Sequence, residues 1–461
     1  MIEKELQISL INRALAKGGE YADIFTEYRR HTSLFLEDGK LEKISNGTEA
    51  GTGIRLIAKG KTAYAFSNDL SREALLQAAL EVSRAAKDKT LPPVIDLMTS
   101  RPSVNFPIKL FPEDISVERK ISLLRNADEV ARSLDSRIKQ VSVIYRDTLQ
   151  RVRISTSEGF MSEDDRVYTT LVIQVVAMQE DIIQTAYESV GGLIGFELFE
   201  NNVIEALGLQ AAKRAIMMLT ARKAPGGRMP AVISSHAGGT MIHEAIGHGL
   251  EADLSQQGLS VFSGKLGSQV ASNLITVVDD STLPGKRGSF RFDDEGTPSQ
   301  RTVLVENGVL KSYMYDRLSA MKDNTGSTGN GRRESYQHRP IPRMTNTFIT
   351  QGTTPAEEIL RCTEKGLLVE KMGGGQVNTV TGDFVFDVQE GYLIENGRKG
   401  EPVRGATLTG NGLQILQTID MLGDDLGFSI GTCGKDAQGV PVTDAMPTLR
   451  IPEIIVGGAY K

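Results

Sequence analysis

Within "GGTMIHEAIGHGLEAD" (residues 238–253), two imidazoles flank a carboxylate: His243, Glu244 and His248. Neutral imidazole is a common ligand of divalent metals, and a carboxylate next to such a ligand can act as general acid or base. The well-known zinc-protease spelling puts its histidines four apart, whereas these are five apart. On a regular helix five positions turn through about 140°, too far for both rings to reach one ion. A wider turn with i→i+5 bonding advances about 80° per residue and brings the rings back to about 50° apart. Gly247 is a residue type that tolerates local distortion. The segment can therefore hold one metal if the helix widens or breaks at Gly247. If it does not, it is an ordinary helix with one core and one surface histidine.

Should a metal bind, two imidazoles suit Zn²⁺, and Glu244 stands where a general base would receive a proton from water. A third ligand is then required. Cys433, between glycines in "SIGTCGKDAQGVP", is one candidate, and His236, seven residues before His243, is its rival. Cys362 reads as a packed core thiol. Glu251 and Asp253 read as helix-end charges, with orientation of an imidazole as the alternative. A second cluster, "RRESYQHRPIPR", gathers Arg332, Arg333, His338, Arg339 and Arg343 within residues 332–343. It suits either a clamp for a substrate carboxylate or a solvated loop whose charges pair with acids such as Glu334. Arg332, Tyr336 and His338 are the candidates for substrate binding, the last two also for polarising a scissile carbonyl.

These residues need a scaffold, and the pattern along the chain is α+β. Residues 3–17 predict a helix, "YADIFTEYRR", "TSLFLEDGK" and "GTGIRLIAKGKTAYAF" predict strands turning at Asp38-Gly39 and Lys59-Gly60, and 71–87 predict a second helix. Residues 89–113, rich in proline, read as an extended linker. Helix, strands and helix then recur: about 114–135, the strands in "IKQVSVIYRDTLQRVRISTSEGF" and "RVYTTLVIQVVAMQ", and about 201–220. The expected organisation is an N-terminal α+β unit (1–88), the linker (89–113), a second α+β unit (114–225) and a β-rich C-terminal domain (226–461) carrying the histidine segment, with Thr240 as its N-cap. One further helix is expected at about 355–365, capped by Thr354, started by Pro355 and stopped by Gly366.

The 461 residues leave room for several cores. A net charge of −6, from 52 Lys+Arg against 58 Asp+Glu, disfavours a general nucleic-acid binder. No apolar run is long enough to span a membrane, and the start lacks the basic and apolar regions of a signal peptide. Two cysteines fit a reducing cytoplasm better than a disulfide framework.

The histidine segment, "GNGRRESYQHRPIPRMTNTFI" (329–349) and "GTCGK" (431–435) together resemble the TldD/PmbA family over essentially the whole chain. The intact H-E-x-x-x-H resembles the TldD-type subunit, since the PmbA (TldE) type lacks it. The resemblance implies a zinc metallopeptidase acting on unfolded or flexible peptides, as a dimer with a PmbA/TldE-type partner or a second copy. It also implies His243, His248 and Cys433 as zinc ligands and Glu244 as catalytic acid/base. The competing expectation is a non-catalytic peptide- or partner-binding regulatory subunit, with a structural metal or none.

Overall fold

The computed structural model describes residues 1–87 and 91–458. Its class is α+β, as the sequence predicts. In the first half, α1 (Lys4–Ala14) and α2 (Arg72–Ser83) bracket β1 (Tyr21–Glu37), β2 (Lys40–Ala58) and β3 (Lys61–Ser67). Then α3 (Val117–Ser133) and α4 (Val203–Thr220) bracket β4 (Ile138–Thr156), β5 (Phe160–Gln179) and β6 (Ile182–Leu193). Both expected hairpin turns form with positive φ at their central residues: 50° and 72° at Asp38-Gly39, 52° and 66° at Lys59-Gly60. That geometry matches the twist of paired strands. Ser71 and Ser116 cap α2 and α3 by accepting from the backbone N–H groups of Ala74 and Arg119.

The sequence reading finds only two strands in the second unit, whereas the structure adds β6, which pairs with β5 from Tyr168↔Leu193 to Gln179↔Ile182. β6 escapes notice because its burial alternates weakly and it ends in Gly191-Gly192. The two units also share one sheet. β1 runs antiparallel to β4 from Asp23↔Thr156 to Glu37↔Ser142, giving the order β3-β2-β1-β4-β5, with β6 also on β5. On one half of the sheet Leu10, Ile11, Leu75 and Ala79 pack against Ile24, Ile54 and Leu56. On the other, Leu124, Ala127, Ala211 and Ala215 pack against Val143, Tyr145, Leu171 and Ile173. Residues 89 and 90 of the expected linker lie outside the described residues. The remainder is mostly irregular but anchored: Val94 and Leu97 are buried in the first core, and the Asn12 amide bonds both backbone groups of Val94.

The second half contains β7 (Gly227–Ile233), β8 (Val277–Asp280), β9 (Arg301–Glu306), β10 (Asn346–Ile349), α5 (Ala356–Arg361), β11 (Lys365–Val377), β12 (Asp383–Glu395) and β13 (Ala406–Asn411). It ends with β14 (Gly427–Lys435), β15 (Gln438–Met446) and β16 (Leu449–Gly457). β11, β7, β16, β13 and β12 pair in succession, and β12 pairs back onto β11, so these strands close into a ring. Closure removes free edges. A second, mixed sheet runs β9-β8-β10-β15-β14 and leaves β14 at its edge. The core of this half joins ring residues such as Phe384, Phe386 and Leu408 to Ile242, Ala245 and Ile246 of the histidine segment.

Helix α5 is shorter than expected. Thr354 does not cap it, because its backbone bridges to Gly423, so Pro355 takes the cap position without a side-chain bond. Gly366 does not stop it either, since the chain turns earlier and Gly366 already pairs with Ile394 inside β11. Cys362 follows the helix and is exposed, not packed in the core.

The halves meet through buried charge. Arg55 on β2 donates to Asp23 at 2.6 Å and pairs with Glu295 at 2.7 Å, with all three side chains no more than 1% exposed. Arg166 on β5 pairs with Asp164 and, at 2.8 Å, with Asp294, and donates to the Phe292 carbonyl. Glu27 accepts from the Tyr336 N–H, and the Tyr64 hydroxyl donates to the Tyr336 carbonyl.

Candidate metal centre

The histidine segment leaves β7 through a turn at Ser235–Ala237 and starts its helix at Thr240. Thr240 is therefore the first helical residue and not the cap. Gly239 holds the cap position, its N–H bonded to the Ser429 hydroxyl at 2.8 Å. The helix then widens over His243–Gly247 into a π turn, with the His248 N–H donating to the His243 carbonyl five residues back. This is the i→i+5 bond that the histidine spacing calls for. It brings the two imidazoles to 4.9 Å between ring centres, at an interplanar angle of 89°.

Gly247 serves a different purpose from the one its flexibility suggests. Its backbone is ordinary right-handed helix, φ −54° and ψ −59°. A Cβ there would sit 2.0 Å from the Met344 sulfur, so glycine is required by close approach and not by distortion.

Cys433 arrives on β14. His243, His248 and Cys433 each offer a ligand atom within 4.8 Å of the others, and they are the one such group of three among the described residues. The Cys433 sulfur lies 3.7 Å from His248 Nε2. A four-coordinate zinc, with bonds of about 2.0–2.3 Å, holds such donors roughly 3.3–3.6 Å apart, so the residues fit the ion with small adjustments. His236, the rival ligand, is exposed on its turn and outside the group.

Each imidazole is held from behind. His243 Nδ1 donates to Asp444 at 3.0 Å and His248 Nδ1 to Glu251 at 3.0 Å, which leaves the Nε2 atoms for the centre. Glu251 thus orients a ring and is not a spare helix-end charge. Asp253 instead pairs with Lys435 at 2.6 Å, and Lys435 also reaches Glu251 at 3.2 Å. Asp444 carries no signal in the sequence. It comes from β15, opposite Ser429 of the same hairpin that carries Cys433.

The electrostatics favour a cation. Burial pulls both imidazoles down, but Asp444 and Cys433 lift His243 well above its usual value, and Glu251 and Cys433 lift His248 to about 10. Burial pushes the Cys433 thiol up, yet the two histidines bring it down to about 6. Burial likewise raises Glu251, but Lys435 and His248 outweigh it and hold it at about 2. The Cys433 thiolate faces the imidazoles and Asp444 and Glu251 back them, so protons and a metal compete for the centre. Glu244 sits between the histidines on the π turn, half-buried, with no side-chain hydrogen bond or ion pair among the described residues.

The arginine-rich segment is neither a solvated loop nor wholly a clamp. Arg343 is fully buried and donates to the carbonyls of Cys433, at 2.5 Å, and of Gln438. Arg332 donates to the carbonyls of Met344 and Pro441. Arg333 donates to the Asp294 carbonyl and pairs with Asp23. These guanidiniums fasten the Cys433 hairpin and the interface because the surrounding backbone carbonyls need donors. Tyr336 packs with Phe25, Val152 and Ile154, and His338 Nδ1 lies 3.1 Å from the Ser335 hydroxyl. Neither side chain joins the His-His-Cys group.

The chain matches family models described as PmbA/TldA metallopeptidase domain 1 over residues 22–86, central domain over 111–219 and C-terminal domain over 226–458. It is 37% identical to a metalloprotease TldD homolog of Haemophilus influenzae, over 95% of this chain and 93% of that one. It is 28% identical to a zinc metalloprotease TldD homolog of Saccharolobus solfataricus, over 97% and 99%. Among solved structures, its fold is shared with a Thermotoga maritima protein described as a candidate modulator of a DNA gyrase, at TM-score 0.82, 24% identity and 98% and 99% coverage. It is shared also with TldE of Thermococcus kodakarensis, at TM-score 0.78, 20% identity and 98% and 100% coverage.

Proposed function

The chain belongs to the PmbA/TldD metallopeptidase family, and on that basis we propose that it is a zinc-dependent peptidase hydrolysing unfolded or flexible peptides. The observation that carries this reading is the convergence of His243, His248 and Cys433, with an unpaired Glu244 next to His243 on the same π turn. His243, His248 and Cys433 would hold the metal, with Asp444 and Glu251 fixing the imidazoles so that Nε2 faces it. Zinc, when bound, supplies a Lewis acid that makes water more acidic and polarises a carbonyl. Glu244 takes a proton from the attacking water on a carboxylate oxygen. It then gives that proton to the peptide nitrogen as the C–N bond breaks, so that a neutral amine leaves. A purely structural site would have no use for such a carboxylate.

β14 is an edge strand and carries Cys433, so an extended peptide bonded along it would run beside the thiol through main-chain contacts that tolerate many side chains. Likeness to a TldE structure supports a dimer with a PmbA/TldE-type partner, with a second copy of this chain as the other arrangement. Two free thiols, one of them in the centre, suit the reducing cytoplasm.

The test compares peptide hydrolysis by wild type and Glu244→Gln, with zinc content measured for both. The expected result is one zinc per chain in each and a drop of about 10²–10⁴-fold in kcat for the variant. Equal rates would leave a non-catalytic peptide- or partner-binding subunit as the better reading.

A further inference from the structure

On the β4–β5 side of the Cys433 hairpin lies a cavity of about 200 Å³, between the first-half sheet and the hairpin strands. Five arginines line it, Arg29, Arg166, Arg287, Arg332 and Arg333, against two carboxylates, Asp294 and Glu334, so cations are in excess. Arg166 and Arg333 have carboxylate partners in Asp164, Asp294 and Asp23. The other three make no ion pair among the described residues, although Asp294 acts on Arg332 and Arg29 on Glu27 through space. Arg332 is 4% exposed and bonds only to backbone carbonyls. Arg287 bonds to the Gly431 carbonyl and the Thr432 hydroxyl, and its Nε is buried without a partner. Arg29 makes no hydrogen bond or ion pair among the described residues, and its Nε too is buried and unpartnered. The nearby acids are committed elsewhere: Glu334 accepts from the Gly439 N–H, and Glu27 bonds to Gln150 and the Tyr336 N–H.

Arg332 is buried, and Arg29 and Arg287 are half-buried with their Nε atoms enclosed; guanidiniums placed so and short of counter-charge are costly, and their fork matches the oxygens of carboxylate or phosphate. Burial pulls Arg287 down to about 10, with no carboxylate to offset it, and burial lowers Arg332 despite the opposing pull of Tyr168 and Asp294. We propose that Arg29, Arg287 and Arg332 form a binding site for an oxyanion, clamped between the first-half sheet and the hairpin that carries Cys433. Arg287 and Arg332 already hold carbonyls on both hairpin strands, Gly431 and Pro441, so an anion drawing them toward Arg29 fastens the hairpin to the sheet. The site does not depend on the peptidase reading, because its residues are distinct from His243, Glu244, His248 and Cys433.

The oxyanion could be inorganic phosphate or the terminal carboxylate of a peptide, and the experiment separates them. Calorimetric titration of the zinc-loaded full chain, at constant ionic strength in chloride, uses three probes: inorganic phosphate, acetyl-trialanine as the free acid, and the same peptide as its amide. To keep peptide binding apart from hydrolysis, it is performed in the Glu244→Gln background. Saturable binding of phosphate or of the free acid, with at least tenfold weaker binding of the amide, is expected. Arg29→Gln should weaken that binding about tenfold, the worth of one charge-assisted bond. Arg287→Gln is the second variant, with circular dichroism confirming that each is folded. Phosphate binding alone assigns a free anion, and free-acid binding assigns a peptide terminus. No saturable binding of either, or binding unchanged in both folded variants, overturns the proposal.

Discussion

The molecule buries charge in two places and uses it in opposite ways. At the interface of the halves, Arg55 faces Asp23 and Glu295, and Arg166 faces Asp164 and Asp294, so that cation and anion neutralise each other within the protein. At the His243–His248–Cys433 centre, anionic groups predominate on the inside: the Cys433 thiolate, Asp444 and Glu251 outnumber the nearby cations Lys435 and Arg343. In the first arrangement each guanidinium meets carboxylates of the same protein, whereas the second leaves its anionic groups to protons or a metal. Closed pairing marks a joint, and surplus charge of one sign marks a place where something binds.

The sharpest way to break this comparison is to remove the thiol. Cys433→Ala should fall from one zinc per chain to none after dialysis against a weak chelator, and peptide hydrolysis should drop at least about a hundredfold; metal analysis and initial rates read both. The interface should be untouched. Next in size, Arg55→Ala removes the cation between Asp23 and Glu295, leaving Asp23 only Arg333, and should cost about 3–5 kcal/mol in denaturant unfolding, while the chains that remain folded still bind zinc. A smaller effect is expected from Asp444→Asn, which keeps shape but removes the charge behind His243. Zinc affinity in competition titrations should weaken about 10–100-fold.

The smallest effect concerns pH, where the two regions should slope in opposite directions. Burial, and then Glu295, push the interface carboxyl of Asp316 up to about 7. A raised carboxyl contributes its full stability below the unfolded value near 3.8 and loses it as pH rises through about 7. Glu251 is held down at about 2, so its contribution is present above its unfolded value near 4.5 and is lost as pH falls through 2. Asp316→Asn, which can still cap the Arg317–Lys322 helix, should therefore flatten the decline of Tm between pH 4 and 7 and leave the acid limb unchanged; thermal melts across that range decide it.

Much of the centre is legible in the sequence because its information is local. A five-residue histidine spacing admits a shared ion only with a widened turn, and the turn is there. The hairpin glycines at Asp38-Gly39 and Lys59-Gly60 announce their turns for the same reason. Cys433 could be singled out because the chain has only two cysteines, though nothing local separated it from His236 without the family likeness. What the sequence hides is supplied from afar. Asp444 reaches His243 across 201 positions, and Met344 dictates Gly247 from nearly a hundred positions away. The arginines of 332–343 look solvated by composition, and Arg339 is, pairing with Asp436 at the surface, yet the fold turns Arg332 and Arg343 inward to satisfy carbonyls of the β14–β15 hairpin. The edge strand β6 and the short α5 depart from the sequence expectation because pairing, not propensity, sets their limits.

The thiol follows the second histidine by 185 residues along the chain. At a synthesis rate of about 5–20 residues per second, a ribosome delivers both imidazoles roughly ten to forty seconds before the sulfur. Throughout that interval the nascent protein carries its histidine pair without the third donor. The order of translation itself postpones completion of the centre until the last strands are made.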